Sequence, residues 1–155
     1  MSKRRVTLVL ALVVGALAVV PVVALAWRGG DRELLLGFEL RFTGPSSTAG
    51  TFVASGAVDD AGSSTVTDLA LEPFGRRDRA RLSGVQTFAG ALGTIVTRFE
   101  GIASDVSQPH QYGQGRFRIV AATGAYADLR GSGEFTIVVD AAGNQLIGTE
   151  TGRVR

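Results

Sequence analysis

The chain of 155 residues is long enough for one domain, and its lack of cysteine excludes disulfides, thiol catalysis and cysteine metal sites. Its formal charge of +2 is spread unevenly, because thirteen basic and all fourteen acidic residues follow Ala26, which leaves that part at −1. A nearly neutral body argues against nucleic acid as a partner, since such binders need a basic face to displace counterions from phosphate.

The first 26 residues have the layout of a secretory signal. The basic Lys3–Arg5 precede the apolar run Val6–Val20, Pro21 interrupts the run, and an A-x-A-like cleavage site ends at Ala26. Residues 6–26 are also just long enough to cross a bilayer as a retained anchor. The break and the site favour cleavage near Ala26, but under either alternative the body of the protein is extracytoplasmic. It is secreted, or it is anchored in the cytoplasmic membrane.

Residues 27–33 are interpreted as a linker and residues 34–155 as a single β domain. In the first predicted strand, Leu36, Phe38 and Leu40 alternate with polar or small residues, which is the period of a sheet with one buried face. Similar runs separated by turn residues predict eight strands: Leu34–Thr43, Thr51–Val58, Thr65–Leu71, Arg79–Phe88, Gly93–Ile102, Arg116–Val120, a seventh that starts near Gly131–Gly133, and Gln145–Val154.

Eight short strands joined mostly by tight turns predict an antiparallel barrel, because closure removes the exposed strand edges. A barrel of this size is filled by side chains or holds one small ligand. A two-sheet sandwich fits the alternation equally well and stays open. In the turn Asp59–Gly62 the glycine is expected to take positive φ, and Ser104–Tyr112 is the longest connection. The one helical turn is expected within Ala121–Leu129.

One stretch carries a motif that is similar to a known family. The motif consists of Gly115, Phe117, Ile119, Thr123, Gly124, Tyr126, Leu129, Gly131, Gly133 and Phe135. It resembles the strand–turn–strand signature of the allene oxide cyclase and dirigent-like barrel superfamily, especially its small bacterial members of unknown function. The resemblance implies an eight-stranded barrel whose cavity, in the plant members, binds an apolar or phenolic intermediate. It also leaves an oligomer open, since relatives often form trimers. None of the family's functional residues matches a position here.

The residues of this motif have a structural and a functional interpretation. In the structural one, Gly124 supplies positive φ, Tyr126 covers a barrel end, and Gly131 and Gly133 let the seventh strand bend. In the functional one, Tyr126 lies at the mouth of a cavity as a hydrogen-bond donor. The glycines favour the structural interpretation, because glycine most often marks backbone geometry.

A cavity inside the barrel is the predicted ligand site. Its candidate residues are Phe38, Phe99, Phe117, Tyr126, Phe135, Arg98 and Glu100. Arg98 and Glu100 lie two apart on the fifth strand and so share one face. Facing inward, they would place an acid–base pair in a poorly solvated cavity. With Phe99 inward they are a surface pair of little energetic weight, and the preference of aromatic side chains for burial favours this alternative. Arg116 and Arg118 are likewise expected outside.

The strongest local charge feature is the cluster Arg76, Arg77, Arg79 and Arg81. In an exported protein it could contact anionic lipid or polyanionic envelope polymers, or simply solvate the end of a hairpin. No cofactor and no metal are expected. Asp59 and Asp60 offer too few oxygens for calcium, and His110 is the only histidine and lies in a predicted loop.

Two classes of function follow. The first is a noncatalytic exported barrel that binds a small apolar ligand or a partner. The second is an isomerase or cyclase of the allene oxide cyclase or dirigent type, which acts by holding a reactive substrate in one conformation. An enzyme of this kind needs a cavity of roughly a few hundred Å³ with converging polar groups. The composition of the interior therefore discriminates between them.

Overall fold

The computed structural model describes residues 31–75 and 78–155, and they form a closed antiparallel barrel of eight strands. The predicted barrel is confirmed, and the two sheets of a sandwich are not formed. The predicted signal or anchor helix lies outside the described residues. The strands and one short 3₁₀ helix are β1 Arg32–Gly44, β2 Ser47–Gly56, β3 Asp60–Pro73, β4 Arg79–Gly90, β5 Thr94–Ser104, β6 His110–Ala122, η1 Gly124–Tyr126, β7 Gly131–Asp140 and β8 Gln145–Val154.

Each strand pairs with its sequence neighbours, and the first pairs with the last. β1 and β8 run antiparallel with Arg32 opposite Val154 and Arg41 opposite Gln145. This closure leaves none of the eight described strands with an unpaired edge, which removes the template for edge-to-edge aggregation. The connections β2–β3, β4–β5 and β6–β7 therefore lie at one end of the barrel, and the other four connections lie at the opposite end.

The barrel interior combines phenylalanine rings with glycines on neighbouring strands. Phe99 on β5 lies opposite Gly84 on β4, and Phe38 on β1 lies opposite Gly148 on β8. A Cβ atom at Gly84 would lie 2.6 Å from the Phe99 ring, and one at Gly148 would lie 2.6 Å from the Phe38 ring. The glycines thus leave the space that the rings fill, and large and small residues interdigitate as close packing requires.

Gly131 and Gly133 lie where two neighbouring strands approach closely. A Cβ atom at Gly133 would lie 2.1 Å from the carbonyl oxygen of Thr151, and one at Gly131 would lie 2.3 Å from that of Arg153. The two glycines therefore allow the backbones of β7 and β8 to approach closely. The prediction for Gly124 is confirmed, since its φ is 62°.

Several predicted boundaries were wrong. Gly62 lies within β3, and the positive φ of the β2–β3 connection belongs to Gly56, at 90°. β1 begins at Arg32, inside the segment assigned to a linker. β6 begins at His110, so the long connection predicted before it shortens to residues 105–109. The local sequence does not indicate these strand ends, because the strands are extended by pairing with neighbouring strands. No local pattern encodes that pairing.

Candidate functional site

A cavity lies inside the barrel, in the half next to the β1–β2 and β7–β8 turns. It is lined by Phe38, Leu40, Thr48, Val66, Leu69, Gln86, Phe99, Phe135, Ile137, Leu146 and Glu150. The gaps between these side chains sum to about 350 Å³, including space that is open to solvent. Only about 20 Å³ of it admits the centre of a water molecule. The cavity therefore takes one water-sized group as it stands, and anything larger requires side chains to rotate.

Three of the predicted aromatic residues line this cavity. Phe38, Phe99 and Phe135 contribute to its wall, and the Phe99 and Phe135 rings meet edge to face with centroids 5.4 Å apart. Phe117 is buried but does not line the cavity, and its ring lies against Gly152. The aromatic alternation along the strands thus identified the inward face correctly. It could not separate the residues that line the cavity from those that are buried elsewhere in the interior.

Tyr126 lies at the other end of the barrel and takes no part in the cavity. Its hydroxyl donates a hydrogen bond to Oδ2 of Asp60 at 2.6 Å. The Asp60 carboxylate also accepts the backbone N–H groups of Ala61, Ala91 and Leu92, at 2.8, 3.1 and 3.2 Å. One side chain therefore joins the β2–β3, β4–β5 and β6–β7 connections, and the structural interpretation of Tyr126 is the one that its position supports.

The electrostatics of this contact follow from its geometry. Burial alone would raise the pKa of Asp60, but the hydrogen bonds from Tyr126 and three backbone amides outweigh it and lower the pKa below its ordinary value. Burial, together with the Asp60 carboxylate, raises the pKa of Tyr126. The phenol therefore keeps its proton, and the aspartate stays ionised, as a stable capping contact requires.

Arg98 and Glu100 are exposed on the outer wall, so they do not line the cavity. Phe99 between them is buried, which confirms the expected orientation of the strand. Neither hydrogen bond nor ion pair joins Arg98 to Glu100. Arg116 and Arg118 are exposed as predicted, and with Arg98 and Glu100 they border a shallow groove over the buried Phe117.

Glu150 is the one ionisable residue that lines the cavity, and it was not among the predicted site residues. Its side chain is 1% exposed, and Oγ1 of Thr97 donates a hydrogen bond to its Oε1 at 3.0 Å. Burial raises the pKa of Glu150 to about 8, and the hydrogen bond from Thr97 opposes that shift only in part. The carboxyl group is therefore protonated and neutral at neutral pH.

The sequence did contain a signal for Glu150. It shares a strand face with Leu146, Gly148 and Val154, all of which the period-two pattern places inside the barrel. The strand was predicted with its correct bounds, and continuing the alternation through it puts the carboxyl group in the core. Acidic residues are rarely buried, so the residue type indicates exposure at this position whereas the strand alternation indicates burial.

Two polar atoms of the cavity wall have no hydrogen-bond partner. They are Oε2 of Glu150 and Oγ1 of Thr48, and both are buried. Gln86, another polar residue that lines the cavity, does have a partner, because its amide donates a hydrogen bond to Oγ of Ser64 at 2.9 Å. Since buried polar atoms are nearly always bonded, each of these two atoms marks a position where a polar group of a ligand or solvent is to be expected.

The described residues of the arginine cluster and the single histidine lie on the surface of the barrel. Arg79 and Arg81 are exposed, and the guanidinium of Arg81 lies 5.9 Å from the centre of the Phe74 ring. Arg76 and Arg77 lie outside the described residues, so an anionic partner stays a prediction. His110 is exposed at the start of β6.

Within residues 31–75 and 78–155, no three histidine or acidic residues come together as a metal site would need. No helix in the same ranges is long and apolar enough to span a membrane.

Comparisons with protein families, with curated proteins and with solved structures find no match to this chain. The resemblance of the Gly115–Phe135 motif to the allene oxide cyclase and dirigent-like barrels therefore stays a prediction.

Proposed function

We propose that this protein is a noncatalytic binding barrel for a small, mainly apolar ligand, which enters the cavity next to Glu150. The observation that carries the proposal is a wall of apolar side chains with a few polar groups, the usual composition of a small-molecule site. Two of the lining residues, Leu69 and Ile137, are only half-buried. Their rotation would open the cavity without breaking the closed sheet.

Binding of toluene tests this proposal. We expect progressive NMR shifts confined to the residues that line the cavity, with a Kd in the millimolar to micromolar range typical of about seven heavy atoms. Val66→Phe, which fills the cavity from β3, should abolish the shifts. Val53→Phe is the matched control, because Val53 is 63% exposed on the outer wall.

Shifts that persist in Val66→Phe, or that spread over the outer wall, would show that toluene does not enter the barrel. An unchanged spectrum of the native protein at saturating toluene would count against the proposal as a whole. Circular dichroism of both variants checks that the barrel is still folded.

An isomerase or cyclase remains the second candidate, and one observation favours it. A neutral carboxylic acid surrounded by apolar side chains is the state in which a glutamate acts as a general acid. The accessible volume of about 20 Å³ requires side chains to rotate for either function, but a substrate of this reaction class needs a cavity of roughly a few hundred Å³ and so a larger rearrangement than toluene does. The noncatalytic function is therefore the better supported of the two.

A further inference from the structure

Two polar atoms of residues that line the cavity, Oγ1 of Thr48 and Oε2 of Glu150, are buried without a hydrogen-bond partner. We propose, on the basis of the binding function above, that Thr48 and Glu150 together bind one neutral hydroxyl oxygen. In the unliganded protein this oxygen belongs to a water molecule, and in the complex it belongs to an alcohol group of the apolar ligand. The ligand class is thus an apolar alcohol.

The arrangement of donors and acceptors selects the hydroxyl group. Oε1 of Glu150 already accepts a hydrogen bond from Thr97, so the carboxylic hydrogen lies on Oε2, which has no acceptor. The Thr48 hydroxyl, also unpartnered, can accept a hydrogen bond. A hydroxyl oxygen placed between them accepts from Glu150 and donates to Thr48, which satisfies both atoms at once.

Other polar groups fit this position less well. A carbonyl oxygen has no hydrogen to donate. A carboxylate would bring a charge into an apolar wall that offers no cation, since Glu150 is the one ionisable residue among those that line the cavity. An ammonium group has no lone pair to accept the hydrogen of Glu150.

The size of the cavity agrees with a single hydroxyl. About 20 Å³ is enough for one water-sized group, which needs roughly 10–15 Å³ on this measure. The neighbouring polar residues do not compete for it, because Gln86 is bonded to Ser64 and Thr97 is bonded to Glu150. The remainder of an alcohol ligand would contact Phe38, Phe99 and Phe135.

The test compares benzyl alcohol, toluene and benzoate as probes, with affinities measured by NMR titration. Thr48→Val removes the hydroxyl and keeps the shape of the side chain. It should weaken the affinity for benzyl alcohol about 3- to 10-fold, as expected for one hydrogen bond, and change the affinity for toluene less than about twofold. Thr48→Ser keeps the hydroxyl and should retain the affinity. Thr51→Val, on the exposed face of the same strand, is the matched control.

Glu150→Gln sharpens the test. The amide keeps a carbonyl oxygen for Thr97 and offers an N–H in place of the acid hydrogen, so benzyl alcohol should bind within about threefold of the native affinity. Benzoate should bind at least about tenfold more weakly than benzyl alcohol to the native protein. Equal losses of affinity for benzyl alcohol and toluene in Thr48→Val would refute the proposed hydroxyl site while leaving the proposed binding function intact.

A crystal structure of the unliganded native protein separates the two proposals. If no probe enters the barrel but a water molecule lies within about 3.2 Å of both Oγ1 of Thr48 and Oε2 of Glu150, the hydroxyl site stands and the binding function fails. If neither a water nor a probe oxygen contacts both atoms, the hydroxyl site is refuted.

Discussion

At the scale of single residues, Glu150 is the most unusual feature of the barrel. A carboxyl group in an apolar interior costs free energy unless it is neutral and hydrogen-bonded, and here it has one bond, from Thr97. Its burial is not offset by a cation, since the other residues that line the cavity are uncharged. The folded protein therefore holds a proton that the unfolded chain releases near neutral pH.

This proton predicts a pH dependence of stability. Burial raises the pKa of Glu150 to about 8 from an ordinary value of 4.5. Its stabilising contribution is fully present below about pH 4.5 and is lost as pH rises towards 8, with a slope of up to about 1.4 kcal/mol per pH unit. Urea unfolding at several pH values should show this slope in the native protein.

Glu150→Gln supplies the comparison, because the amide cannot ionise. Its unfolding free energy should lack the decline between about pH 5 and 8, whereas Glu134→Gln on the exposed face of β7 should retain it. A native slope that survives unchanged in Glu150→Gln would refute the assignment of the proton to this residue.

At the scale of the strands, register is fixed by rings that lie against glycines. The pairs are Gly84 with Phe99, Gly115 with Phe135 and Phe38 with Gly148. In the β4–β5 and β1–β8 pairs, a shift of two residues would set the ring of Phe99 or Phe38 against a position that has its own side chain. Alternating large and small inward residues thus select one pairing among those that the hydrophobic pattern allows.

Gly84→Ala tests this packing. The new methyl would lie 2.6 Å from the Phe99 ring, so we expect a loss of about 1–3 kcal/mol of unfolding free energy, measured with urea. Gly37→Ala is the control, because its nearest non-neighbouring atom would be 3.9 Å away. The control should be neutral or stabilising by up to about 1 kcal/mol, since alanine restricts the unfolded chain. Equal effects at the two positions would contradict the packing argument.

At the scale of the whole molecule, closure of the sheet was predictable and the contents of the barrel were not. Alternation and turn spacing identified the strands and the inward direction of Phe38 and Phe99. The tie between Asp60 and Tyr126 joins residues 66 positions apart, and no local pattern encodes such a contact. Glu150 was missed for a different reason, because the prediction for β8 gave the bounds of the strand but did not assign its inward and outward residues.

Export is a prediction that rests on the first 26 residues. The mature protein should be recovered outside the cytoplasm with an intact mass that corresponds to a start at Trp27. Ala26→Phe, which places a large residue at the cleavage site, should leave the full mass in the membrane fraction. Full-length native protein in the membrane would instead identify a retained anchor, and recovery from the cytoplasm would refute export.

The pairing of β1 with β8 has a consequence for how the barrel folds. Its contacts, such as Leu34 with Gly152 and Leu40 with Leu146, join the two paired strands that lie furthest apart in sequence, so the entropy cost of loop closure is met before they form. Until β8 has been synthesised and docked, β1 and β7 each present an open edge that another chain could pair with. Folding should therefore be slow for a protein of this size. The intermediate most prone to aggregation is the open sheet of seven strands.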